Sequence, residues 1–162
     1  ELLSGPLGPT PLSGNCGRLV PGNYLGVSGD FGNSFPACFT MHTTNGNGLF
    51  YSQSSTRFRD ITDGTSQTLA YGERGLPNDL GWGWVECGGS ECEQYISVEA
   101  GLVPPQTSNS NAINISSFWS WHEGGAHFLL ADGSVHFLSL STSQTILESL
   151  STREGAELPG EF

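Results

Sequence analysis

The sequence predicts an α+β, mainly β fold: an antiparallel sheet with a short C-terminal helix, held by disulfide bonds. Three observations carry that expectation. Charged residues make up only 13% of the chain while 23 of its 162 residues are Gly, a composition of loop-rich β domains and not of helical bundles. The apolar runs Ala126–Ala131 and Ser134–Leu138 flank Asp132-Gly133, the residue pair that a two-residue type I′ hairpin turn prefers. Ile146, Leu147 and Leu150 then fall at helical spacing behind Ser141 and Thr142, either of which can cap a short helix ending near residues 153–155.

Taken in order, residues 1–22 read as an extended arm, because Pro6, Pro9, Pro11 and Pro21 deny both helix and ladder hydrogen bonds. The domain proper, 23–162, opens with short strands expected at 24–28 and 48–53 between Gly and Asn turns. Residues 59–68 hold Asx and Ser/Thr turn formers at nearly every position and lead, as a tight or single helical turn, into a strand over 68–73. Another strand is expected at 81–85, followed by a long polar insertion at 86–117. In the hairpin, pairing Ala131 with Ser134 places Phe128, Leu130, Val135 and Phe137 on the core face. His127, Leu129, His136 and Leu138 then share the other face.

Five Lys and Arg against 16 Asp and Glu give a net charge of −11, a field that repels phosphate backbones and anionic lipid surfaces, so nucleic acid is excluded as a partner. Cys16, Cys38, Cys87 and Cys92 form no C-x-x-C pair, which favours disulfides over zinc and implies an oxidising compartment. Of three connectivities, Cys87–Cys92 with Cys16–Cys38 is preferred, since Gly88-Gly89 lets the short loop close. No signal peptide or long apolar run is present, and the Pro/Gly-rich start reads as processed or truncated, its anchor removed.

Two blocks carry a family resemblance. His122 is followed by nine residues and then Asp132-Gly133, and the segment from Asp60 through Asp63-Gly64-Thr65-Ser66 to Gly72-Glu73 precedes it. Together they resemble the H-x9-DG ending and the ITDGTSNT…GE segment of the prepilin-like family known chiefly from planctomycete bacteria. Asn23-Tyr24, Gly48–Tyr51 and Leu150–Glu157 extend the likeness in order over most of residues 23–158. The chain differs in having Trp121, Glu123 and His127 where the family often has Arg, Pro and Asn. The resemblance implies a type IV pilin or type II secretion pseudopilin-like head domain, exported to the cell envelope or beyond. Its partners would be itself or other pilin-like subunits through an N-terminal helix, and its contact with the membrane would run only through that anchor.

His122, Gly124, Gly125, Asp132, Gly133, Asp63, Gly64, Thr65, Ser66 and Glu73 are accordingly expected to serve the scaffold, with His122 bonded to groups near the hairpin. Asp60 and Asp63 offer hard oxygen ligands for calcium, although no cofactor is required for a domain of this size. His127 and His136, diagonal on one hairpin face, could hold zinc or copper together with His122 or a nearby carboxylate. The W-x-W pairs Trp82/Trp84 and Trp119/Trp121 would each lie on one strand face, as core or as a platform for a glycan or cell-surface partner. No G-x-S-x-G, phosphate-binding loop or H-E-x-x-H motif occurs, and no catalytic residue is assigned. The expected function is therefore an exported structural subunit acting by assembly or surface binding. A secreted adhesin and a metal-dependent enzyme are the alternatives.

Intact mass measured without reductant is expected to lie below the all-thiol mass by four hydrogens, one for each cysteine. Four alkylatable thiols in freshly exported protein would contradict the pairing.

Overall fold

The computed structural model describes residues 22–31, 46–76, 94–105 and 116–156. All four cysteines, Trp82, Trp84, the 81–85 strand and nearly all of the N-terminal arm lie outside those residues. The described residues are mostly β: a five-stranded sheet of β1 (Tyr24–Val27), β2 (Leu69–Glu73), β3 (Tyr95–Ile96), β4 (Gly125–Leu130) and β5 (Val135–Ser139), with one helix, α1 (Gln144–Ser151). The strand order is β3-β1-β2-β4-β5. The sheet is mixed and not purely antiparallel, because β3 runs parallel to β1 while the other three pairings are antiparallel.

One face of this sheet is the core. Leu25, Val27, Leu69, Ile96, Phe128, Leu130 and Leu138 point into it, and Leu147 and Leu150 of α1 close it together with Val98 and Phe118. The α1 stripe is the one expected, but its cap is Ser143, whose side chain accepts from the Ile146 amide, and not Ser141 or Thr142. Gly72 sits at the centre of the core face opposite Phe128. A Cβ there would collide with Phe128 and Phe118, whose rings pack edge to face at 5.2 Å. Glycine at this position is what lets two aromatic rings lie directly on the backbone.

Three other expectations are corrected. Residues 48–53 form no strand: the Gly48, Leu49 and Phe50 amides bond only the end of β1, and the chain then turns through Tyr51–Ser54. The 86–117 segment is not wholly a surface insertion, since β3 and the fully buried Ile96 and Val98 belong to the core. The hairpin lies one residue off the expected register.

That slip has a local cause. Asp132-Gly133 does not form a two-residue turn; instead the Gly133 amide bonds the Leu130 carbonyl and the Leu130 amide bonds Ser134. A three-residue loop results, with Gly133 at φ +91°, the type I turn plus left-handed glycine of a bulged hairpin. His127 now opposes Phe137 and Phe128 opposes His136. Because side chains alternate with period two, every β5 residue changes face. Leu138 is buried at 1% exposure while Val135 is 62% exposed.

Leu138→Ala is accordingly expected to cost about 2–5 kcal/mol in urea denaturation, and Val135→Ala no more than about 0.5 kcal/mol. The reverse ranking would restore the two-residue turn.

Candidate functional site

The second face of the sheet carries the site. Directly opposed residues of neighbouring strands share a face, and the pairings Tyr24 with Glu73, Tyr71 with Leu129, Leu129 with Val135 and His127 with Phe137 define it. The result is an open groove of about 550 Å³ whose lining includes Tyr24, Tyr71, Leu129 and Val135, with Glu73, His122 and His127 at one end.

Glu73 is the last residue of β2, flanked by β1 and β4. Its side chain is only 5% exposed. The Tyr24 hydroxyl donates to Oε1 at 3.1 Å, and the His127 backbone amide donates to Oε2 at 2.7 Å. His122 Nε2 lies 3.3 Å from Oε1 and His127 Nδ1 lies 3.3 Å from Oε2. The two imidazoles meet edge to face with centroids 4.8 Å apart. Burial pushes the Glu73 carboxyl up, but the His127 amide, the Tyr24 hydroxyl and the two imidazoles outweigh it and hold the group below the usual glutamate value. The site therefore presents an ionised, nearly buried carboxylate beside two nitrogen donors.

Local hydrogen bonds place His122. Ser120 Oγ donates to the Gly125 carbonyl at 2.7 Å and accepts from the His122 amide at 3.0 Å, tying off the loop before β4. Gly124 within it has φ +84°, and Gly125 begins the strand. The His122 ring turns to the Glu73 carboxylate and not to the backbone groups expected for it.

The remaining predicted residues gather at the other end of β2 and β4. Gly64 precedes the 3₁₀ turn Thr65–Gln67, and the Ala131 and Asp132 amides donate to the Thr68 and Thr65 carbonyls. The two sequence blocks therefore touch at both ends. Asp132 accepts from the Ser134 hydroxyl at 2.6 Å and amide at 2.8 Å, which hold its carboxyl below the usual range.

The calcium pair is not assembled. Asp60 is engaged by Arg57 at 3.0 Å, whereas Asp63 accepts from the Gly155 and Ala156 amides at 2.7 and 2.8 Å. Both carboxylates have partners of their own, and Asp63 works as a clasp on the chain leaving α1. The metal pair His127 and His136 is also corrected, because the changed register puts His136 opposite Phe128, on the face away from His127. Nor do Trp119 and Trp121 share an exposed face: Trp119 is fully buried, while Trp121 is 49% exposed and donates from Nε1 to the Leu76 carbonyl.

Among the described residues, Glu73, His122 and His127 are the His, Cys, Asp or Glu side chains close enough to share one ion. Glu73 and His122 lie 49 positions apart in sequence, so only the β2–β4 pairing brings them together. Alternation puts Glu73 on the face of Tyr71 and away from Gly72, but it would also put Leu69 there; the irregularity between Leu69 and Tyr71 moves Leu69 to the core face instead.

Residues 23–145 match the family described as "Protein of unknown function (DUF1559)". The chain belongs to that family. No curated protein and no solved structure matches it.

Glu73→Gln is expected to lower stability at pH 7 by on the order of 1–3 kcal/mol, since hydrogen bonds to a charged acceptor are lost. A depressed folded-state carboxyl stabilises fully above the unfolded glutamate value, and the contribution vanishes as pH falls through the folded one. Denaturant titrations of both proteins across the acid range should show their difference shrinking in that window. A gap that widens in acid would contradict the assignment.

Proposed function

We propose that this domain is an exported, pilin-like or pseudopilin-like structural subunit of the cell envelope that acts by assembly through its surface and performs no catalysis. Family membership over residues 23–145 and the likeness of the two motif blocks to prepilin-like proteins support the reading. The observation that carries it is the outer sheet face. Tyr24, Tyr71, Val135 and Phe137 are all exposed there around a shallow groove, an aromatic and apolar surface of the kind protein partners cover. The occupant proposed is another pilin-like subunit. A glycan platform built on Trp119 and Trp121 is disfavoured by the burial of Trp119. No helix among the described residues is long and apolar enough to cross a membrane.

Fractionation of the gene's full product, with protease treatment of intact cells, tests the reading. The protein is expected in the envelope or outside the cell, cross-linking to pilin-like partners. Val135→Asp should leave the melting temperature unchanged, because residue 135 is exposed, yet reduce that cross-linking severalfold. A cytoplasmic monomer, or cross-linking indifferent to the substitution, would overturn the proposal.

A further inference from the structure

We infer that Glu73, His122 and His127 form a binding site for one divalent transition-metal ion of the zinc class. The three ligand atoms all lie within 4.8 Å of one another. A tetrahedral zinc ion with bonds of about 2.0–2.1 Å separates its ligands by about 3.3–3.5 Å; His122 Nε2 lies 3.3 Å from Oε1 and His127 Nδ1 lies 3.3 Å from Oε2, so a modest inward movement of the imidazoles gathers all three groups on one ion. A charge-assisted hydrogen bond between the same groups would be shorter, at about 2.7–2.9 Å. Both contacts are longer than such a bond, which leaves the imidazole nitrogens available to an ion.

The surroundings also suit an ion. Glu73 is a nearly buried carboxylate whose ion-pair partners among the described residues are the two imidazoles, with no Lys or Arg. Buried charge is costly unless a cation or several donors compensate it. Tyr24 and the His127 amide hold the carboxylate in place from behind, as outer partners do for metal ligands. The imidazoles are 55% and 40% exposed, so small side-chain rotations complete the set without disturbing the core. Two nitrogens and one carboxylate oxygen match zinc's preference over that of calcium. All three residues line the groove, from which water or a donor of a bound molecule would complete the shell.

This site is independent of the assembly reading, since it is tested on the purified chain alone. The full 162-residue chain, with its cysteines oxidised, is titrated with zinc chloride by calorimetry and by thermal unfolding, with cobalt absorption reporting coordination geometry. One ion per chain, a rise in melting temperature that chelator reverses, and a tetrahedral cobalt spectrum are expected. His122→Ala leaves the packed core untouched and should abolish the spectrum and weaken binding at least about tenfold. Tyr24→Phe should weaken it by about tenfold. His136→Ala, on the other face, should bind like the parent. No binding at hundred-micromolar zinc, binding that survives His122→Ala, or binding lost in His136→Ala would overturn the site.

Discussion

A carboxylate held nearly out of water at the end of the central strand is the constraint around which the outer face is organised. An ionised glutamate cannot remain there without donors, and Glu73 draws one from each side of its strand: the Tyr24 hydroxyl on β1 and the His127 amide on β4. It also draws the loop before β4 inward, because His122 reaches Oε1 from that loop. Three pieces of chain distant in sequence are thus registered by one side chain. On the opposite face the same strand has Gly72, whose missing side chain admits Phe118 and Phe128. β2 therefore unites a polar hub and an aromatic core one residue apart.

A second set of contacts fastens the far end of the domain. Arg153, just after α1, donates through Nη1 to the Gly46 and Gly48 carbonyls, while its own carbonyl accepts from the Thr62 and Asp63 amides. The Asp63 carboxylate in turn binds the Gly155 and Ala156 amides. Aspartates that look like calcium ligands in the sequence are thereby occupied with Arg57 or with the backbone. The short blocks singled out in the sequence meet in this structure through hydrogen bonds, Tyr24 with Glu73, Gly48 with Arg153, Thr65 with Asp132 and Asp63 with Gly155.

The sequence made the elements legible where a local rule was strong. The apolar-polar run over 68–73 located β2, the two apolar runs about Asp132-Gly133 located β4 and β5, and the spacing of Leu147 and Leu150 located α1. What local rules could not decide was a choice between two turn geometries that both accept Asp-Gly. One residue in the loop reversed the faces of Val135, Phe137, His136 and Leu138. β3 was illegible because two residues carry no period, and its pairing with β1 is a long-range event. The site was half visible: His122, His127 and Glu73 were each singled out, but their meeting depends on strand pairing. His136 was drawn in only by the wrong register.

Glu73 is thus an ionised carboxylate held by four partners. Carbon-detected NMR titration of its side-chain carboxyl in the metal-free protein measures this directly. A midpoint below the ordinary glutamate value of about 4.3 is expected, with the Tyr24 and His127 amide resonances shifting in the same step. A midpoint above that value, or one that leaves those resonances unmoved, would show that burial prevails and that the carboxyl is not the hub described.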